Sequence, residues 1–406
     1  MSEWKKVKLG KLYEVHNGLS KGRQFFGSGY PFLTFSTVFN NYFLPKELDS
    51  LVQSSEKERE ACSIRKGDVF ITRTSETMDE LGMSSVALRD YPDATYNGFT
   101  KRLRPITDDV IPEYIGYYLR SPKFRGKFMA FSTMTTRASL ANGDLLGMEV
   151  ELPTKEEQYC IASILSRYDS LIENYQKQIK LLEEAAQRLY KEWFVDLRFP
   201  GHQSTPIINN LPQGWEKKSA KDFFTMSIGK TPPRAESSWF STDDKDVPWV
   251  SISDMKDVMF VNITNERLTH EACDHFNVKI VPEGTILLSF KLTVGRVSIA
   301  DKPVCTNEAI AHFMRDGDNW REYTLMYLRN YHYDSLGNTS GISKAVNSTI
   351  IKNMPFVMPS NDILDGFSKM SSPIINRIRN LSTQIRNLSE ARDRLLPKLM
   401  SAEIEV

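Results

Sequence analysis

Residues 154–199 read TKEEQYCIASILSRYDSLIENYQKQIKLLEEAAQRLYKEWFVDLRF. Apolar side chains recur there at Ile161, Leu165, Tyr168, Ile172, Tyr175, Ile179, Leu182, Ala186, Leu189 and Trp193, with spacings that alternate four and three without a slip. That pattern is the seam of a coiled coil, narrower than the stripe of an ordinary globular helix. Adding 206 to each number gives Phe367, Ser371, Ile374, Ile378, Leu381, Ile385, Leu388, Arg392, Leu395 and Leu399, and eight of these ten are apolar. Ser371 and Arg392 interrupt the chemistry of the second seam without shifting its phase. The spacing therefore predicts two long helices, each following a domain-sized segment, in an internally duplicated chain.

The repeat continues into the segments before the helices. Trp4-Lys5-Lys6 matches Trp215-Glu216-Lys217, and Tyr30-Pro31-Phe32-Leu33 matches Val247-Pro248-Trp249-Val250. Gly67-Asp68-Val69-Phe70-Ile71 matches Gly284-Thr285-Ile286-Leu287-Leu288, a glycine turn feeding an apolar strand. Tyr118-Leu119-Arg120 matches Tyr327-Leu328-Arg329, and Met148 to Pro153 matches Met354 to Pro359. Both heads read as α+β. The expected order is a head over 1–153, a helical region over 154–199, a polar linker over 200–213, a second head over 214–359 and a helical region over 360–406. The two long helices are expected to pair antiparallel, with pseudo-two-fold symmetry between the copies. One large mixed domain with chance similarity is the competing reading, and five landmarks in the same order weigh against it.

The chain has 406 residues, 40% hydrophobic and 25% charged, a composition suited to two cores of roughly 150 residues each. No apolar run approaches the ~20 residues that span a bilayer, so no membrane association is expected. The opening MSEWKKVKLG lacks a signal-peptide core. The four cysteines (Cys62, Cys160, Cys273, Cys305) are too scattered for a zinc site or a disulfide framework. A reducing, cytoplasmic location is the expectation. A net charge of +1 argues against non-specific coating of nucleic acid but leaves room for local basic surfaces. Two basic runs stand out, Arg120, Lys123, Arg125, Lys127 and Lys101, Arg102, Arg104.

Catalytic signatures fail one by one. Gly229-Lys230-Thr231 resembles the end of a phosphate loop, but position 224 is Phe224 rather than glycine and Pro232-Pro233 follows. His270 and His275 are five apart, so on a helix they cannot share a metal face. Neither a nucleophile elbow nor an adenine-methylation motif is present. No catalytic residue, metal ligand or cofactor site is assigned.

What remains suits recognition. Basic and hydroxyl residues fall in or beside loops at Lys21, Arg23, Thr37, Arg73, Thr74, Ser75, Lys101, Arg102 and Arg137 of the first head. In the second they are Lys230, Arg234, Ser253, Lys291, Arg296, Lys344 and Asn347. Arginine suits guanine edges, asparagine suits adenine, and lysine and serine suit phosphate. Any one of these residues is by default a solvated side chain. As a class they gain weight because Lys21 and Arg23 sit where Lys230 and Arg234 do, Arg73 where Lys291 does, and Arg137 where Lys344 does. Arg137→Ala is expected to change preference in one half-site only.

Several motifs resemble one known family. Glu157-Gln158-x-x-Ile161-x-x-Ile164-Leu165 with Asp169 and Ile172 is similar to the conserved region of specificity subunits of Type I restriction–modification systems. So are Gln187-x-Leu189-x-x-x-Trp193-Phe194-x-Asp196-x-Arg198-Phe199-Pro200 and the terminal Leu395-Leu396-Pro397-Lys398-Leu399-Met400-Ser401. Trp4 and Leu211-Pro212-x-Gly214-Trp215 look like the starts of that family's target recognition domains. The resemblance implies a non-catalytic subunit whose heads each read half of a split asymmetric sequence in double-stranded DNA. It implies two methyltransferase subunits docked on the helical regions, with restriction subunits joining to cleave. S-adenosylmethionine, ATP and Mg2+ would then belong to those partners. A helix of roughly 40 residues is about 60 Å long and a DNA turn about 34 Å, lengths compatible with heads on successive major grooves.

The second copy departs from the first. Pro373 and Pro397 replace Arg167 and Lys191, which predicts a break near 371–373 and a true helix from there to about 396. Glu157 and Gln158 have Ile363 and Leu364 as counterparts. Lys180, Glu183, Glu184, Arg188 and Lys191 face outward and are candidates for partner contact. A duplicated scaffold that binds other proteins, and an autonomous methyltransferase or nuclease, are the alternatives. DNA affinity that falls steeply with salt yet depends on sequence at fixed salt separates a DNA reader from the scaffold, and the autonomous enzyme would require activity from the purified chain alone.

Overall fold

The computed structural model describes residues 4–75, 81–131, 138–336 and 346–406. It contains two compact units, one formed by 1–173 with 386–406 and the other by 174–385. Each long helix, Lys155–Tyr190 and Asn361–Met400, contributes one end to each unit.

In the first unit, β1 (Lys5–Lys8) pairs antiparallel with β9 (Glu149–Leu152), so the beginning and end of the head meet. Between them, β2 (Tyr13–Asn17), β8 (Thr100–Pro105), β5 (Val69–Thr72) and β6 (Ser84–Val86) form an antiparallel sheet in that order. A smaller sheet has the order β4 (Leu51–Val52), β3 (Phe26–Leu33), β7 (Thr95–Tyr96), with β3 and β7 parallel. Strand β5 is buried on both faces. Val69 and Ile71 join one apolar cluster and Phe70 another, as the two-residue period of a strand requires.

The second unit repeats this plan. β10 (Glu216–Ser219) pairs with β20 (Pro355–Met358). The main sheet runs β11 (Thr225–Ile228), β19 (Ile310–Met314), β16 (Ile286–Ser289), β17 (Val297–Ala300), β14 (Phe260–Val261). The smaller one runs β12 (Phe240–Ser241), β15 (Glu266–Leu268), β13 (Val247–Val250), β18 (Cys305–Thr306), again with one parallel pair. Ile286 and Leu288 face one cluster while Leu287 faces another, matching Val69, Ile71 and Phe70. The two heads are thus α+β folds of one topology. Within 200–213, Ile207–Ile208 and Leu211–Pro212 form a hairpin turned by Asn209 and Asn210, both at positive φ.

Within each unit the long helices run antiparallel. In the first, Ile161 and Leu165 share a core with Leu396, Leu399 and Met400, while Asp169 meets Arg392 further back along the second helix. In the second, Gln178 meets Arg377 and Trp193 packs on Phe367, so rising numbers on one helix again meet falling numbers on the other. All twenty seam positions are buried or half-buried. The two polar exceptions have their own partners. Arg392 donates to Asp169 at 2.6 Å and lies 5.1 Å from the ring of Tyr42. Burial alone would lower the Arg392 pKa, but Asp169 and Asp393 outweigh it and raise it above the usual arginine range. Ser371, 1% exposed, returns its hydroxyl to the carbonyl of Phe367 at 2.8 Å.

The expected break near 371–373 is not observed: the second helix is continuous from Asn361 to Met400. Pro373 and Lys369, whose carbonyl loses its donor, are both exposed residues, so water can replace the missing hydrogen bond. Leu364 and Phe367, both 0% exposed, anchor the turns before it in the core. The first helix also differs from expectation, since regular α-helix stops at Tyr190 and Lys191–Val195 continue as a π-helix. Leu197 then takes φ +56 and ends it.

Candidate nucleic-acid interface

The loops at one end of the main sheet are built alike in both heads. In the first, the chain leaves β2 over Gly18, whose added Cβ would lie 2.2 Å from the Asn97 carbonyl; only glycine fits. Asn97 accepts from the Phe99 amide at 2.7 Å through Oδ1, and Phe99 in turn accepts from the Arg73 amide at 3.0 Å. In the second head, Gly229 packs on Thr306 and Asn307, where a Cβ would meet Thr306 Oγ1 at 2.0 Å. Asn307 Oδ1 accepts from the Ala309 amide at 3.1 Å, and the Ala309 carbonyl accepts from the Phe290 amide at 2.9 Å. Three loops, one after the second strand, one after the central strand and one before the last strand of the sheet, are thereby tied together twice over. Asn97 and Asn307 escaped the sequence reading. The one asparagine shared by Tyr96-Asn97 and Thr306-Asn307, at an offset of 210, was the available signal.

The predicted residues divide sharply by environment. In the first head, Lys21 ion-pairs with Glu58 at 2.8 Å and donates to the Gln53 carbonyl at 2.8 Å. Lys21 and the Ser55 amide hold the Glu58 carboxyl down at about 2. Arg23 is exposed beside it. Thr37 is half-buried, 2.8 Å from the hydroxyl of Thr34 that caps its helix. Arg73 is half-buried, and its enclosed Nε has no hydrogen-bond partner among the described residues. Lys101 and Arg102 are each 4% exposed. Lys101 donates to Asn142, and burial together with the Arg73 charge pushes it below the usual lysine range. Arg102 turns inward to the carbonyls of Ser63 at 2.7 Å and Ala61 at 3.3 Å. Thr74 and Ser75 lie on a short strand whose side chains are outside the described residues, as is Arg137 entirely.

In the second head, four predicted residues share the three-loop end. Lys230 donates to the Phe276 carbonyl at 2.7 Å. The Arg234 guanidinium lies 4.3 Å from the ring of Phe240 and 4.6 Å from that of Trp249, and pairs with Glu266 at 2.8 Å. Arg296 donates to the Ile252 carbonyl at 2.7 Å, fixing the turn that carries Lys291. Glu308 receives the Thr231 hydroxyl; burial would raise its pKa, but Thr231, Lys291 and Arg234 hold it below the usual carboxylate range. Ser253 directly follows Ile252, and its hydroxyl is 2.6 Å from that of Ser251. Asn347 caps the helix Ser348–Lys352 by accepting from the Ile350 amide at 2.9 Å. Lys344 lies outside the described residues.

Beneath these loops His312 is enclosed between Ser227 and Thr306, each 2.8 Å from one ring nitrogen. Burial lowers its pKa to about 4, so it is neutral at pH 7.

The basic runs form no free basic surface: the arginines reach into the first unit, and the half-exposed Lys123 and Lys127 are paired. Arg120 donates to four backbone carbonyls, of Ser84, Val38, Phe39 and Asn41, and burial lowers it to about 10. Lys123 and Lys127 both pair with Glu151, and Arg125 reaches the Leu81 carbonyl at 2.5 Å. Arg104 grips the fully buried Asp68 through two nitrogens, at 2.8 and 2.7 Å. The motif pair Glu157-Gln158 also has a local role. Glu157 completes a capping box with Thr154, and Gln158, 1% exposed, bonds Ile111, Asp109 and Pro153. Of the outward helix residues, Glu183 pairs with Arg329, Glu184 with Arg188 and Lys191 with Asp196, while Lys180 is exposed. His270 and His275 are both exposed, the latter stacked on Trp239. Among the described residues, no helix is long and apolar enough to cross a membrane.

Comparison with known proteins agrees with this duplicated architecture. The family described as "Type I restriction modification DNA specificity domain" matches twice, over residues 1–184 and 212–386. The chain is 24% identical to the HindI specificity subunit of Haemophilus influenzae, each covered in full. It is 28% identical to the MjaIX specificity subunit of Methanocaldococcus jannaschii, over all of this chain and 94% of that one. Its fold is similar to the crystal structure of a Type I restriction–modification S subunit from M. genitalium, with a TM-score of 0.58 at 14% identity over 98% of this chain and 96% of that one. The protein-scaffold reading is not favoured. This chain belongs to the Type I restriction–modification DNA specificity family, and it is a non-catalytic DNA-recognition subunit.

Proposed function

We propose that each head reads one half of a two-part asymmetric sequence in duplex DNA through its three-loop end. The antiparallel helices then fix the interval between the halves. Two methyltransferase subunits dock on the helical regions, and restriction subunits join them; S-adenosylmethionine, ATP and Mg2+ are bound by those partners. The working compartment is the cytoplasm. One observation carries this reading: two heads share the glycine–asparagine loop construction yet hang different side chains on it. A common frame with different chemistry is what two different half-sites require.

Arg234 has the most definite geometry for base contact. Two aromatic rings and Glu266 hold its guanidinium, while the side chain keeps 52% exposure. A bidentate arginine–guanine pair is worth about 1–3 kcal/mol of discrimination. Arg234→Ala in the full chain should therefore weaken specific binding about tenfold or more and relax preference at one base pair of one half-site. Equal loss on specific and random duplexes, with a shallower salt dependence, would make Arg234 a phosphate contact instead.

A further inference from the structure

Leu292 is the most exposed large apolar side chain in the described structure, at 94%, and its backbone sits at φ +59. An exposed leucine says little on its own. A leucine held in the left-handed region is another matter, because that conformation costs about 1–2 kcal/mol for a residue with a γ-branched side chain. The Thr293 amide donates to the Lys291 carbonyl at 2.6 Å, closing a γ-turn with Leu292 at its apex.

The turn is braced from behind. Ser289 Oγ donates to the Thr293 carbonyl at 2.6 Å and accepts from the Arg296 amide at 3.0 Å. The Gly295 amide donates to the Ser289 carbonyl at 2.9 Å. Gly295 has φ +93, and an added Cβ would stand 3.0 Å from the ring of Tyr333. The loop is therefore fixed, and it presents to solvent Leu292 and Thr293, with Lys291 half-buried just before them. It belongs to the same three-loop end as Arg234 and Lys230. The first head exposes a large apolar residue at the corresponding end, Phe99, at 56%.

Resting on the DNA-reading role above, we propose that Leu292 is an apolar wedge that enters the base stack at the second head's half-site. Leucine and phenylalanine are among the side chains that unstack a step in this way, and the bend they cause brings more protein surface onto the duplex. Lys291 meets a phosphate beside the opened step, while Arg296 stays on the Ile252 carbonyl and holds the turn in place. The wedge makes specificity depend on how easily that step unstacks, with pyrimidine–purine steps favoured.

The test uses the full chain and duplexes carrying its selected sequence, with 2-aminopurine placed in turn at each position of both half-sites. Wild type and Leu292→Met should raise fluorescence several-fold at one step of the half-site that Arg234→Ala disturbs. Leu292→Ala should abolish that rise and weaken specific binding roughly tenfold, leaving the other half-site unchanged. An undiminished rise with Leu292→Ala would overturn the wedge. So would specific binding by wild type with no responding position, or a defect of Leu292→Ala confined to assembly with the methyltransferase partner. Absence of any specific binding by wild type would instead overturn the DNA-reading role on which the wedge rests.

Discussion

At the scale of single residues, the chemistry of the second head depends on a histidine that touches no candidate contact. His312 joins Ser227 at the end of β11 to Thr306, the residue against which Gly229 packs. Its folded-state pKa of about 4 lies below the ordinary 6.5, so as pH falls the unfolded chain takes up the proton first. Stability from this group is full above about pH 6.5 and is lost as pH falls through about 4, by on the order of 3 kcal/mol. Urea unfolding at pH 7.0 and 4.5 should show a smaller pH dependence for His312→Gln than for wild type; equal dependence would show that the histidine does not carry it. The residue scale is also where sequence reading was weakest. Lys101, Arg102 and Arg120 look like surface charge in a string of letters. The fold turns Arg102 and Arg120 to backbone carbonyls inside the head, where long basic side chains satisfy otherwise orphaned acceptors, and lays the buried Lys101 against the Asn142 side chain. Only the loop setting of Lys230 and Arg234 was legible, because Gly229 and the intervening Pro232-Pro233 mark a turn.

At the scale of elements, the long helices were legible from their seam, and their exceptions were not. Arg392 and Ser371 keep phase with the apolar positions because each has a partner, Asp169 and the Phe367 carbonyl. Neither partner is visible without the fold. Pro373 misled the reading through a rule that holds for an isolated helix; here packed turns before it and an exposed position offset the lost hydrogen bond. The proline still costs helix stability, so Pro373→Ala should raise the unfolding free energy by about 1–3 kcal/mol and shift the urea midpoint upward. An unchanged or lowered midpoint would mean that the ring itself packs usefully. The π-turn at Lys191–Val195 had no local signature beyond its aromatic density, Trp193 and Phe194 packing on Tyr323, Phe367 and Trp215.

At the scale of the whole molecule, the proposed function makes duplication the step that converts a binding fold into a two-part reader. Five landmarks in the sequence became equivalent strands and helices, and the family match falls on both copies. The heads share a frame and differ in what the frame displays: Phe99 with Arg23 in one, Leu292 with Arg234 and Glu308 in the other. The most direct measurement is selection of duplexes from a random pool by the full chain, alone or assembled with its methyltransferase partner, followed by sequencing. Two different short sequence elements separated by a gap of constant length and free composition are expected. A single contiguous element, or enrichment without any fixed gap, would contradict the account.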